Sequence, residues 1–448
     1  MYMRNVFLPM EIYHREYPGK LSLALALAET GNKVHLGYNH FIRNMACESD
    51  QEGVYFEIKG KSPEGMDYLS TIRDRGLLLV GQDEEAGISY LKFEDFVLNR
   101  PELGGVGYMD RFFAWGSEDH EYLSKKFGDS KIRQTGSARS LFWGDSGKAF
   151  YRDEIQDAYE NHGEYILLIT NLASRNNLMS ERQMKKFTSN AGYGKDFYEA
   201  YSRRQTWEKL AYPRIVDLIK QITRETNLKV LLRPHPSEDV LQWKSEFAGN
   251  SKVTISKLGN VAPLIFSAKH VIHAGSTVGL EAMLSGVSTI SYQDIVDYED
   301  YPMTANYYST KAKSINDLID KLHSNLNYLP LPGFDKAISD KITSSNDINL
   351  VRSLAGAIDS VQEKSQLPTS VNGTSVSSKS DKSFSRRVLE RIKFGKSSYS
   401  ELHLHKRPRL DIDMVIADAS RLRKILGIDL EFKITEIGES SFTISKYR

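Results

Sequence analysis

Cysteine is nearly absent: Cys47 is the only one in 448 residues. A single thiol excludes an intramolecular disulfide and any multi-cysteine zinc site, and it reads as a small apolar filler. No stretch approaches the ~20 consecutive apolar residues of a membrane-spanning helix. The first ten residues hold one arginine and a short apolar run, without the long hydrophobic region or small-residue cleavage site of a secretory signal. An excess of one charge is missing too. The 59 basic and 58 acidic side chains leave a net +1, which is no footprint for nucleic acid. There is no repeat of solenoid period, and no Asp-x-Asp element at the end of a strand. These absences predict a cytoplasmic protein with no bound metal, no resident cofactor and no nucleic-acid partner.

What is present is an ordinary soluble composition, 40% hydrophobic and 26% charged. A chain of this length exceeds one core and suits two α/β domains with an appendage. Short apolar runs at residues 4–9, 33–37, 53–58, 76–80 and 111–115 alternate with helical patterns. One such pattern, residues 20–30, places Leu21, Leu25 and Ala28 on one face and stops at Gly31. A second series opens with Tyr165-Ile166-Leu167-Leu168-Ile169-Thr170, an unbroken run of the kind buried on both faces of a sheet. Further strands are predicted at 229–232, 253–255, 270–273 and 289–291, and helices at 207–223, 261–267 and 278–285. Alternation of this kind predicts parallel sheets covered by helices. The expected organisation is a first Rossmann-like domain over 1–150 and a second over 151–365. A flexible linker rich in Ser, Thr and Lys over 366–385 leads to a small basic α/β appendage over 386–448.

Three segments carry chemistry. Arg233-Pro234-His235-Pro236 follows a strand, and its prolines fix the way out of the sheet. His235 is thereby held at the carboxyl end of the sheet, where open α/β folds bind ligands. Its imidazole can donate to a phosphate while Arg233 adds charge. His273-Ala274-Gly275-Ser276-Thr277 ends another strand and opens a helix. Gly275 allows a tight turn, Ser276 and Thr277 suit an N-cap, and the helix start is an anion site. Glu281, one turn deeper, can accept from ribose hydroxyls. Gly81-Gln82-Asp83-Glu84-Glu85-Ala86-Gly87 leaves a strand of the first domain. A carboxylate there can deprotonate an acceptor or attack an anomeric carbon; the plain alternative is a solvated acidic loop.

Together these motifs resemble those of the bacterial sialyltransferase, polysialyltransferase and capsule Kdo-transferase group, which carry an acidic-acidic-Gly motif, a His-Pro motif and a Ser/Thr motif. The run from Glu11 to Lys20, the pair Trp115-Gly116 and the segment Thr135-Gly136-Ser137-Ala138-Arg139 are similar to parts of bacterial surface carbohydrate biosynthesis proteins. The resemblance spans about residues 1–330 and leaves the tail outside it. It implies a GT-B fold, two Rossmann-like doubly wound domains facing across a cleft. It implies a metal-independent glycosyltransferase that moves a sugar such as Kdo or sialic acid from a CMP donor to a surface polysaccharide or lipid-linked glycan. His235, Ser276 and Thr277 would hold the CMP phosphate. Arg15, Lys20 and Arg139 are candidates to pair with the carboxylate of such a sugar. Asn171 and Arg175 would touch donor or acceptor. Ala86 separates Glu85 from Gly87, which leaves open which of Asp83, Glu84 and Glu85 is catalytic.

The tail cations Arg386, Arg387, Arg391, Lys393, Lys396, Lys406, Arg407 and Arg409 alternate with apolar residues. On a helix this spacing suits an anionic membrane surface, so peripheral contact with the inner membrane is one expectation; a solvated helix is the other. Rival functions are a UDP-sugar 2-epimerase, a CDP-glycerol-type phosphotransferase and a non-catalytic glycan-binding scaffold. Inversion or retention at the anomeric carbon stays open.

Overall fold

The computed structural model describes residues 3–57, 66–98, 100–173, 175–176, 195–294, 303–324, 326–343, 347–364 and 407–447. The expected linker and the tail cations from Arg386 to Lys406 lie outside them, and Arg407 and Arg409 within.

Two sheets organise the chain. The first has the order β13-β14-β2-β1-β3-β4-β5-β6. Its strands β1 (Asn5–Met10), β2 (Lys33–Tyr38), β3 (Gly53–Glu57), β4 (Leu78–Gly81), β5 (Arg111–Ala114) and β6 (Ile132–Gln134) are parallel. The second has the order β12-β11-β10-β7-β8-β9 and is parallel throughout. It comprises β7 (Tyr165–Ile169), β8 (Lys229–Arg233), β9 (Val253–Ile255), β10 (His270–His273), β11 (Thr289–Tyr292) and β12 (Thr310–Ala312). Every residue of β1 and β7 is buried, which is why these continuous apolar runs take central places. The α/β fold class expected from the sequence, two doubly wound sheets, is the one observed.

In each sheet the chain first adds strands on one side of its starting strand and then crosses to the other. The reversal falls between β1 and β3 in the first sheet and between β7 and β10 in the second. Such switch points open crevices at the carboxyl ends of the strands. The His235 and Ser276 segments therefore do not leave adjacent strands: β7 lies between β8 and β10.

The C-terminal segment forms a helix and a hairpin, but not a separate body. Strand β14 (Ser441–Lys446) pairs antiparallel with β2, and β13 (Phe432–Gly438) with β14. Helix α5 (Ile412–Leu426) buries Val415, Ala419 and Leu422 in the same core as Leu21 and Leu25 of helix α1 (Tyr13–Glu29). Helix α4 (Ile348–Asp359), expected in the second domain, also packs there through Val351, Leu354 and Ile358. The remaining labelled helices are α2 (Lys195–Glu225) and α3 (Thr277–Leu284).

Helix α1 begins seven residues earlier than its sequence pattern suggests, and it runs through Pro18 and Gly19. Pro18 has no amide to offer the carbonyl of His14, four residues back. That carbonyl instead accepts from Asn260 Nδ2 of the second domain at 2.9 Å. Gly19 lets the turn at 137–139 approach, since a Cβ there would lie 3.0 Å from the Arg139 nitrogen.

Candidate functional site

The carboxyl ends of the two sheets meet, and polar side chains join them. Asn260 bridges the His14 carbonyl and the Tyr151 hydroxyl, the latter at 2.7 Å, while its Oδ1 caps the helix that follows. Thr304 Oγ1 donates toward the carbonyls of Ile88 and Tyr90 at 3.0 and 2.9 Å. The hydroxyls of Ser89 and Thr277 share a hydrogen bond of 2.8 Å. Arg139 links the acidic loop to α3: one nitrogen donates to the Glu84 carbonyl at 2.9 Å, and another ion-pairs with Glu281.

On the second domain, residues 170–172 after β7 tie the His235 and Gly275 turns together. Asn171 Nδ2 donates to the Gly275 carbonyl at 2.9 Å, and Arg204 of α2 holds the Asn171 side-chain oxygen at 2.8 Å. Glu238 is fully buried and accepts from Thr170 Oγ1 at 2.9 Å, Leu172 N at 3.0 Å, His235 N at 3.0 Å and Trp243 Nε1 at 2.8 Å. Burial pushes its carboxyl above the ordinary range, while these donors pull it back. The His235 turn and the Gly275 turn are thus fixed to a common segment. Gly275 itself needs the left-handed region, with φ of 83°.

His235 is exposed, and its Nδ1 lies 2.7 Å from the Ser237 hydroxyl and 3.3 Å from the Ser237 amide, contacts that suit a neutral ring with its proton on Nε2. Arg233 is buried, and its guanidinium holds the turn through the carbonyls of Leu258 and Gly259. Among the described residues no carboxylate pairs with it, and burial alone lowers it to about 10. The same charge adds to burial in lowering His14 to about 4. Of the hydroxyls expected at a phosphate, Ser276 accepts from Val278 N at 3.2 Å as the cap of α3 and keeps its own hydrogen to donate, and Thr277 shares a bond with Ser89. Gly275 N also donates to His273 Nδ1, and burial drops the His273 ring to about 3, so it stays neutral. The guanidinium of Arg175, an exposed residue, lies 5.1 Å over the Tyr212 ring.

On the first domain the acidic residues separate into three roles. Asp83 is a brace. Its carboxylate takes two nitrogens of Arg100 at 2.9 and 3.0 Å and the amides of Glu85 and Ala86 at 2.8 and 3.1 Å. Burial works to raise its pKa, but Arg100 and these donors bring it below the ordinary value. Glu84 is buried and paired with Lys20 Nζ at 2.7 Å, and that ammonium also lies 3.9 Å over the Phe56 ring. Glu85 is the one of the three with a solvent-facing side chain, 43% exposed, between Arg15 at 2.7 Å and Arg100 at 3.2 Å. Ala86 completes the turn at φ of 44°, a left-handed conformation unusual for a residue with a Cβ.

Arg15, Lys20 and Arg139, expected to await a ligand carboxylate, are therefore each held by a carboxylate of the protein. Sequence reasoning missed Glu16, Arg100, Glu238 and Asn260. Asn260 had a legible signal as an N-cap residue before the apolar stretch 261–267. Glu238 had a weaker one, an acid three residues beyond His235.

No family model matches the chain, and no curated protein sequence matches it. Among solved structures, it is similar to UDP-GlcNAc 2-epimerase of Methanocaldococcus jannaschii in complex with UDP-GlcNAc and UDP, at 12% identity and a TM-score of 0.47, covering 80% of this chain and 99% of that one. It is similar to the wall teichoic acid polymerase TagF at 10% identity and a TM-score of 0.47, covering 80% and 88%. It is similar to UDP-N-acetylglucosamine 2-epimerase of Rickettsia bellii at 10% identity and a TM-score of 0.44, covering 80% and 97%. At such identity the side chains of a site do not transfer, and chemistry must be argued from the residues of this chain.

Proposed function

We propose that the chain is a GT-B-type enzyme that uses a nucleotide sugar as donor and transfers its glycosyl group to a surface glycan or lipid-linked glycan. The nucleotide would lie on the second domain, at the crevice between β7 and β10. One observation carries this reading: Asn171 and Glu238 hold the Gly275 and His235 turns on one segment, beside a buried Arg233 that has no carboxylate partner among the described residues. A buried cation solvated only by carbonyls is costly, and a bound phosphate would offset that cost. The His235 ring would donate from Nε2, and the start of α3 would add its dipole. Glu85, reachable from solvent, is the candidate base, with Arg15 and Arg100 fixing its position.

Calorimetric titration with CMP, CDP, UDP and GDP tests this. The expected result is selective binding of one of them, weakened about tenfold or more by His235→Ala through loss of a phosphate contact. In an assay with the matching donor, Glu85→Gln should keep nucleotide affinity and lose turnover. Absence of binding to every nucleotide would overturn the reading.

A further inference from the structure

Two parts of the cleft meet at residues 258–260. The carbonyls of Leu258 and Gly259 hold the Arg233 guanidinium. The next side chain, Asn260, donates to the His14 carbonyl at 2.9 Å. One short segment of the second domain thus seats the buried cation and the first turn of α1 side by side. The His14 ring is half-buried there, edge-on to the Tyr13 ring with 5.1 Å between centroids. Arg233 is the charge that acts on this ring, and together with burial it keeps the imidazole neutral, at about 4. The other ionisable groups close by have settled roles. Arg15, the next residue of α1, turns to Glu16 at 3.0 Å and Glu85 at 2.7 Å. Burial pushes the Tyr13 and Tyr151 hydroxyls up, so they stay protonated. Lys257 donates to the carbonyls of Pro236 and Glu238 at 3.1 and 2.6 Å.

Resting on the nucleotide reading above, we infer that His14 is a phosphate-binding residue supplied by the first domain: its ring takes up a proton from solvent as a phosphate settles on Arg233, and donates a hydrogen bond to that phosphate. A ring close enough to feel the guanidinium is close enough to answer an anion bound to it. In the free protein Arg233 disfavours a proton on His14. A bound phosphate reverses this twice over, because it neutralises the guanidinium and brings an opposite charge of its own. Burial still opposes the proton, but the same low dielectric strengthens the charged hydrogen bond once it forms. The phosphate is then gripped from both domains, by Arg233 and His235 on one side and His14 on the other.

The experiment uses the full chain and the nucleotide it selects among CMP, CDP, UDP and GDP. Calorimetric titration at pH 6.5, 7.5 and 8.5, in buffers of different ionisation enthalpy, counts the protons taken up on binding. The expected result is about half a proton or more at pH 6.5, declining as pH rises, with affinity falling by up to about tenfold per pH unit. His14→Asn should weaken binding about tenfold or more at pH 6.5, least at pH 8.5, and should remove most of the uptake. It keeps the carbonyl that Asn260 holds, so the domain contact survives. The nucleotide's phosphate and His235 titrate in the same range, but both remain in His14→Asn, so the difference between the two proteins belongs to His14. A purely structural ring would weaken binding by one factor at every pH and leave the uptake unchanged, which overturns the inference. If His14→Asn does not fold, His235→Ala decides: uptake that persists supports His14, and uptake that vanishes assigns the proton to His235 and overturns the inference. Equal affinity and equal uptake in wild type and His14→Asn overturn it as well and leave the nucleotide reading standing. Binding of no nucleotide overturns both.

Discussion

The bond from Asn260 to the His14 carbonyl permits a quantitative test of how a local helix defect becomes a domain contact. Asn260 caps the helix Val261–Ser267 through its Oδ1 and donates to His14 and Tyr151 through Nδ2. Asn260→Ala removes a cap worth about 1 kcal/mol and two donated bonds worth about 1 kcal/mol each. The expected loss is about 3 kcal/mol. Pro18→Ala places an amide four residues after His14, so its carbonyl regains an ordinary helical donor. In that background Asn260→Ala should cost about 1 kcal/mol less, because the carbonyl is no longer stranded. The cycle is measured by urea unfolding of the wild type, both single variants and the double variant. Contributions that Pro18→Ala makes by itself cancel in it. A coupling energy indistinguishable from zero would refute the claim that the proline directs this carbonyl to the second domain.

Three other outcomes follow from the same geometry. Ala86→Gly relieves a left-handed alanine and should raise stability by about 0.5 kcal/mol after the greater chain entropy of glycine; a lower melting temperature would contradict the strain. Asp83→Asn breaks the paired contact with Arg100 and should destabilise by roughly 3 kcal/mol, whereas Glu85→Gln, at an exposed site, should change stability by less than about 0.5 kcal/mol; equal losses in urea titration would contradict the division of roles. His273 has its folded pKa lowered by burial to about 3, below the ~6.5 of the unfolded chain. The unfolded state therefore binds more protons between those values, and stability falls as pH drops through that window. From pH 6.5 to 5 the loss is about 2 kcal/mol, and a His273→Asn variant should lack that part of the slope.

The alternation of strands and helices was legible because burial is written into composition. β9, β10 and the helix Val261–Ser267 stand at the boundaries their patterns predict. The pairing of the C-terminal hairpin was not legible, because strand partners are a tertiary property. Five of the six residues of β2 are buried, which suits an interior strand, and its second neighbour is β14. His35 shows the fit, with one ring nitrogen 3.0 Å from Thr443 Oγ1 and the other 3.0 Å from Asn5 Oδ1. The roles of Asp83, Glu84 and Glu85 were hidden for the same reason. Three acids in a row look alike until Arg100, Lys20 and Arg15 arrive from elsewhere in the fold.

Pro18-Gly19 is the most informative failure of the local rules. A Pro-Gly pair reads as a helix break, and so the pattern starts the helix at residue 20. The structure carries α1 through both residues because its buried face, including Leu21, Leu25 and Ala28, contributes more than the local propensity removes. The two breakers then do what no stronger helix former could. Proline leaves a carbonyl for Asn260, and glycine admits the turn that carries Arg139 against the helix. Arg139 in turn reaches Glu281, and Lys20, one residue beyond the glycine, reaches Glu84. Local inconsistency and the polar cleft thus coincide within a few residues, where tertiary contacts override local propensity. Replacing Gly19 by alanine should therefore disturb Arg139 and ligand affinity more than it disturbs the helix, although helix propensity alone ranks alanine the better residue.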